Sequence, residues 1–179
     1  MSKSQVIVVS GVMGGGKTTL IQSIANYIPD SYIVSFDDYS IDALPSAPPL
    51  DLFLDDFKSA VNQYDISLLM SDFKKALNRY SFILIDFPFG YEHEDLKPYI
   101  NKVIYLRTPL DICFARQIIR DYSNKQVADV IGWAQTYLEF ARPIFLEHDK
   151  FISKTADYIL DGSLSSKEQI QKLKELKVI

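Results

Sequence analysis

Val6-Ile7-Val8-Val9-Ser10-Gly11-Val12-Met13-Gly14-Gly15-Gly16-Lys17-Thr18-Thr19 is the stretch whose reading decides the fold. Its first four residues form a β-branched run, the composition of a strand buried on both faces. Gly11 to Thr18 then satisfies the spacing G-x-x-x-x-G-K-[ST]. Beyond it, Leu20, Ile21, Ile24, Ala25 and Ile28 mark one face of a helix over 18–28, stopped by Pro29. Between a strand and a helix this spacing has a physical meaning. Glycines let backbone N–H groups ring an anion, and the helix turns its positive end toward it. In such a loop Lys17 reaches β- and γ-phosphates and Thr18 offers its hydroxyl to Mg²⁺, while Thr19 is expected to donate to the α-phosphate. Gly11, Met13, Gly14, Gly15, Gly16, Lys17, Thr18 and Thr19 are therefore the expected nucleotide-phosphate residues.

Outward from this stretch, strand-like and helix-like segments alternate. Tyr32 to Phe36 reads as a second strand, and 40–50, with Pro45, Pro48 and Pro49, as a loop. Phe53, Phe57, Ala60, Val61 and Tyr64 keep helical spacing, as do Leu69, Phe73, Ala76, Leu77 and Tyr80. Phe82-Ile83-Leu84-Ile85 and Val103-Ile104-Tyr105-Leu106 read as buried strands. A helix is expected over 110–122 and a longer one from Val127 past Ala141, bent near Pro143. Tyr158-Ile159-Leu160 is a fifth strand, and the last helix covers about 166–176. Strands separated by helices, without hairpin signals, imply an α/β fold with a five-stranded parallel sheet covered on both faces.

The chain has 179 residues, 47% hydrophobic and 23% charged, with a net charge of -4. That length suits one domain, here 1–179, and the charge argues against a broad nucleic-acid-binding face. No apolar run reaches the roughly 18 residues of a membrane span, and the first residues do not read as a secretory signal, so a cytoplasmic protein is expected. One cysteine, Cys113, and two separated histidines, His93 and His148, exclude a disulfide framework and disfavour a Cys/His metal cage.

In an open parallel sheet, ligands bind beyond the carboxyl ends of the strands. Asp37, after the second strand, is placed to face a γ-phosphate, where an acceptor hydroxyl must sit for in-line attack. Asp38, next along an extended segment, is expected to point away. Asp86, after four apolar residues, has the position of a Walker-B carboxylate for Mg²⁺. Thr18, Asp37 and Asp86 are thus the candidate metal residues. Arg116 and Arg120, four apart on one helix, are candidates to contact nucleotide or transferred phosphoryl group.

The chain resembles the uridine kinase family of P-loop kinases, which includes phosphoribulokinase and bacterial pantothenate kinases. Four stretches carry the resemblance: GVMGGGKTT, SFDDYS, TPLDICFARQIIRD and YLEFARPIFLEHDKFISKTADYILDG. It implies a P-loop NTPase fold and ATP-dependent phosphoryl transfer to a small-molecule acceptor, with Mg²⁺. The family's base-plus-metal aspartate falls on Asp37 with Tyr39 as its aromatic, its metal-binding acid on Asp86, and its lid arginine on Arg120. Lys17, Asp37 and Arg120 are then the catalytic candidates, 116–126 the lid and 37–80 the acceptor region. Two departures stand out. The family's further lid arginines are replaced by Tyr122-Ser123-Asn124-Lys125-Gln126, and its acceptor-covering β-hairpin by two helical segments.

Nucleic acid and membrane are not expected partners, and self-association into a homo-oligomer is left open. Cys113 and Trp133 read as packing residues, His93 as part of a solvated loop. Tyr39, Phe87, Phe89 and Tyr91 flank the expected acceptor site, where aromatics sandwich a ring. A GTPase reading fails, since Asp86-Phe87-Pro88-Phe89-Gly90 is one residue too long for Asp-x-x-Gly and Asn101-Lys102 lacks its following Asp. A nucleotide-binding module without kinase activity, or a kinase for a pantothenate- or sugar-like acceptor, are the alternatives.

Overall fold

The computed structural model describes residues 4–179, so the reading of the first three residues lies outside it. Five parallel strands, β1 (Gln5–Ser10), β2 (Ser31–Ser35), β3 (Phe82–Asp86), β4 (Lys102–Arg107) and β5 (Tyr158–Asp161), are ordered β2-β3-β1-β4-β5. Side chains alternate along each strand. Ile7 and Val9 therefore meet α1 (Lys17–Tyr27) and α8 (Ser166–Glu175) through Leu20, Ile21, Ile24 and Leu173. Val6 and Val8 face the opposite layer, built from α2 (Leu52–Asp55), α3 (Phe57–Gln63), α4 (Ser67–Ala76) and α7 (Arg142–Thr155) through Phe53, Phe57, Phe73 and Ile152. Between β4 and α7 the chain forms α5 (Leu110–Tyr122) and α6 (Val127–Thr136).

Register positions the site. Val9 of β1 and Ser35 of β2 both pair with Asp86 of β3, and Ser10 pairs with Tyr105 of β4. The chain therefore leaves β1, β2 and β3 along one edge, with Ser10, Phe36 and Phe87 level with one another. Ser10 locks the exit of β3: its hydroxyl donates to the Phe87 carbonyl at 2.8 Å and accepts from the Gly90 N–H at 3.0 Å.

The structure corrects the sequence reading at several places. The second strand ends at Ser35, and Phe36–Tyr39 is a 3₁₀ turn. The period-two argument that turned Asp38 away from Asp37 therefore does not hold. A further 3₁₀ turn, Ile41–Ala43, interrupts the expected 40–50 loop. The apolar stripe from Phe53 to Tyr64 belongs to two helices, because the Asp56 carboxylate accepts from the Ser59 N–H (3.0 Å) and starts α3 afresh. The bend expected near Pro143 takes the form of a π-helical segment, Tyr137–Ala141, just upstream. Pro143 has no N–H for the Glu139 carbonyl and its ring crowds it, so the preceding turn widens.

Candidate active site

The loop from Gly11 to Gly16 turns out of β1 and into α1. Gly14 has φ +76° and Gly16 φ +99°, left-handed conformations that favour glycine. A Cβ on Gly14 would also stand 2.5 Å from the Cys113 carbonyl oxygen, so only glycine fits beneath α5 there. The Gly15 N–H closes an internal turn onto the Val12 carbonyl at 3.0 Å. Helix α1 has neither a side-chain cap nor an acid in its first turn, so its first N–H groups have no intrahelical partner. Lys17 curls back over the loop, its Nζ donating to the Val12 carbonyl at 3.3 Å.

Thr18 Oγ1 donates to Asp86 Oδ2 at 2.7 Å. Asp86 is 3% exposed, and burial lifts its carboxyl pKa above the usual range. The Lys17 charge and the Thr18 bond oppose that rise, while Asp37 and Asp38 add to it. Both aspartates of the 3₁₀ turn are exposed, and both are felt at Asp86. The Asp37 charge is also felt at Arg120. Among the described residues no three His, Cys, Asp or Glu side chains form a ready-made metal cage. Mg²⁺ does not require one, since it is usually held by one or two protein groups plus phosphates and water. The Thr18–Asp86 pair fits that requirement.

Helix α5 has its expected bounds and lies along the outer side of the loop. The Arg116 Nη1 donates to the Gly15 carbonyl and its Nη2 to the Gly162 carbonyl, both at 3.3 Å. Arg116 thus ties the phosphate loop to the turn after β5. Arg120 is exposed and makes a two-pronged bond to its neighbour Asp121, both contacts 2.7 Å. The pair holds the Arg120 pKa above its ordinary value and Asp121 below. Met13 is half-exposed at the mouth of the loop, and Thr19 is exposed on the first turn of α1.

Acceptor-side expectations are less well matched. Phe87 and Phe89 are buried, in an aromatic cluster with Phe36, Phe53, Phe57 and Tyr64. Tyr39 donates to Asp72 at 3.1 Å and Tyr91 to Asp157 at 2.7 Å. None of the four is a bare wall for a ring. His93 is buried rather than solvated: Nδ1 accepts from the Asp95 N–H (3.3 Å), leaving Nε2 to donate to the Tyr64 carbonyl (3.1 Å). A loop rich in acids invited the solvated reading, but the backbone supplied both partners. A cavity of about 590 Å³ lies between α7 and the ends of β4 and β5. It meets the phosphate loop only at Val12, and Lys17, Thr18, Asp37, Asp86 and Arg120 do not line it.

Three residues near the loop escaped the sequence reading. Thr108 Oγ1 donates to the Gly15 carbonyl at 2.7 Å, and Gln117 Nε2 to the Met13 carbonyl at 2.9 Å. His148, on α7, donates from Nε2 to the Pro88 carbonyl at 2.7 Å. Gln117 and His148 gave a usable signal, since each is polar on the apolar face of its helix, four residues from Cys113 and Ile152 respectively. Cys113 itself is fully buried, as expected of a packing residue.

No protein-family model matches the chain, and no curated protein matches it either. Solved structures do. Shikimate kinase from Acinetobacter baumannii in complex with shikimate aligns over 98% of this chain and 93% of its own, at 20% identity and a TM-score of 0.53. Deoxyadenosine kinase from M. mycoides with bound dCTP aligns over 98% and 100%, at 18% identity and 0.57. Thymidylate kinase from Candida albicans aligns over 99% and 94%, at 12% identity and 0.57. The fold is that of the P-loop kinases. The resemblance to uridine kinases rests on the sequence stretches alone. No helix among the described residues is long and apolar enough to cross a membrane.

Proposed function

We propose that the chain is an ATP-dependent phosphotransferase acting on a hydroxyl of a small metabolite, with a nucleoside-like acceptor first in order. The observation that carries this reading is the convergence at one sheet edge. The Gly11–Thr18 loop and Lys17, the Thr18–Asp86 pair, and Asp37, whose charge is felt by both Asp86 and Arg120, lie together there. Loop N–H groups and Lys17 would bind the β- and γ-phosphates of ATP. Thr18 and Asp86, with Asp37 beyond them, would hold Mg²⁺, which when bound neutralises charge on those phosphates. Asp37 would accept the proton of the attacking hydroxyl, and Arg120, released from Asp121, would meet the charge that develops on the transferred group.

The neighbours named for shikimate and deoxyadenosine support a kinase of small hydroxyl metabolites, the one named for thymidylate supports a small-molecule kinase without favouring a hydroxyl acceptor, and the sequence resemblance supports a nucleoside. The helical build of 52–76 supports a pocket unlike the uridine kinase hairpin. One observation favours a second reading, a nucleotide-binding module without kinase activity: Arg120 is engaged with its own neighbour, and aromatic side chains fill the acceptor side. ADP release from Mg·ATP with uridine, deoxyadenosine, deoxycytidine, thymidylate, pantothenate and shikimate separates the two. Acceptor-dependent turnover with any of them supports the kinase. Tight Mg·ATP binding with no turnover on the whole panel favours the module.

A further inference from the structure

The phosphate loop of a nucleotide site works by presenting N–H groups inward, so its carbonyl oxygens must be held outward. In a trans peptide the carbonyl of one residue and the N–H of the next point in opposite directions. A donor that grips the Met13 carbonyl from outside therefore aims the Gly14 N–H into the loop, and a donor on the Gly15 carbonyl does the same for the Gly16 N–H. The Gly15 N–H is spent on the Val12 carbonyl. Gly14 and Gly16, in contrast, are among the loop positions whose N–H groups have no partner among the described residues.

The Gly15 carbonyl is held by Thr108 Oγ1 and Arg116 Nη1. The Met13 carbonyl is held by the Gln117 amide. Gln117 is 1% exposed, and its Cγ would stand 3.1 Å from a Cβ on Gly14. Its Oε1 is buried without a hydrogen-bond partner. A leucine or methionine would fill this space without that cost, which for a buried unpaired acceptor is substantial. The chain keeps an amide there and uses only its N–H.

We infer that Gln117 is a positioning residue: its Nε2 holds the Met13 peptide so that the Gly14 N–H faces the nucleotide phosphates. This inference rests on the phosphate-site part of the proposed function and not on the acceptor. Its test compares wild type with Gln117→Met, which keeps length and burial, and with Gln117→Asn, whose amide is too short to reach Met13. Calorimetry with Mg²⁺ and a non-hydrolysable ATP analogue gives Kd, and thermal unfolding without nucleotide gives Tm. Loss of one oriented donor should weaken binding roughly tenfold in both variants. The Tm of Gln117→Met should change little, because loss of the bond to the Met13 carbonyl is offset by removal of the unpaired Oε1. A residue that merely packs would give the opposite pattern, unchanged Kd with altered Tm, and that result overturns the inference. So does wild-type affinity in whichever variant folds. A wild type that binds the analogue but phosphorylates no acceptor sinks the kinase reading and leaves Gln117 to be judged on Kd. A wild type that binds no analogue overturns both.

Discussion

Exchanging His148 for Gln should remove a pH dependence of stability that the fold builds in beside the phosphate loop. The imidazole is 5% exposed, walled by the rings of Phe57, Phe89 and Tyr105, and donates from Nε2 to the Pro88 carbonyl. Burial, with a smaller contribution from the Lys17 charge, pushes its pKa down from 6.5 to about 4, against the opposing pull of the Pro88 bond and of Asp149. The unfolded chain titrates near the ordinary value, so between about pH 4 and pH 6.5 the unfolded state holds more protons than the folded one. Stability from the neutral ring is then complete above pH 6.5 and is lost as pH falls toward 4. A gap of about 2.5 units at roughly 1.4 kcal/mol each sets a ceiling of about 3.5 kcal/mol. Gln keeps a donor for Pro88 and carries no proton that titrates in this range. Urea unfolding of both proteins at pH 7.5 and pH 4.5 is the assay. Carboxylates lower both curves on acidification, so the difference between the proteins is the signal. Wild type should lose about 2.5 kcal/mol more than the variant between these two pH values. Parallel losses would show that the ring is already charged, or already open to water, and would refute the reasoning.

The remaining predictions concern the chemistry. Lys17→Ala should weaken Mg·ATP binding by about 10- to 100-fold, the worth of one charge-assisted hydrogen bond; unchanged calorimetric affinity would remove Lys17 from the phosphate site. Asp37→Asn should lower kcat by roughly 10²–10⁴, the range of a positioned general base, with little change in ATP affinity. Asp38→Asn should be milder, since Asp37 alone of the two is felt at Arg120, and a larger loss at Asp38 in steady-state kinetics would exchange their roles. Arg120→Ala should lower kcat more than it raises KM for ATP, and an unaltered kcat would leave Arg120 as a surface partner of Asp121.

The layers of this fold were legible because apolar periodicity is a local property. Short apolar runs at 6–9, all β-branched, and at 82–85 read as buried strands between helices, and the glycine-lysine spacing marks the first of them as the strand that leads into the phosphate loop. The ends of elements were less so. Whether Phe36-Asp37-Asp38-Tyr39 continues β2 or turns is decided by Phe36 entering the aromatic cluster on Phe87 and Phe89, a contact between residues about fifty apart. The acceptor side was least legible for the same reason. Phe57 stacks on Phe151 at 4.9 Å, and His93 finds its partner in the Tyr64 backbone, pairings that no spacing along the chain announces. Arg116 was marked from its place four residues before Arg120, but that its guanidinium grips two backbone carbonyls follows from where α5 crosses the loop.

On the proposed reading, charge around the loop would make a metal-loaded triphosphate suit this site better than a bare one. Asp37, Asp38 and Asp86 stand on its acceptor side, and burial has already raised the Asp86 pKa. The cations sit elsewhere: Lys17 lies over the loop, Arg116 is bound to backbone behind it, and Arg120 is neutralised by Asp121. A bare polyphosphate would add negative charge beside three carboxylates, with Lys17 the chief cation left to balance it. A divalent cation reverses the sign of that interaction, because it favours the ionised form of Asp86 that burial disfavours. The Thr18–Asp86 bond, at 2.7 Å, holds both of the loop-side groups at one point in the meantime. On the proposed reading, the same acids that would repel a free nucleotide would thereby select the metal complex.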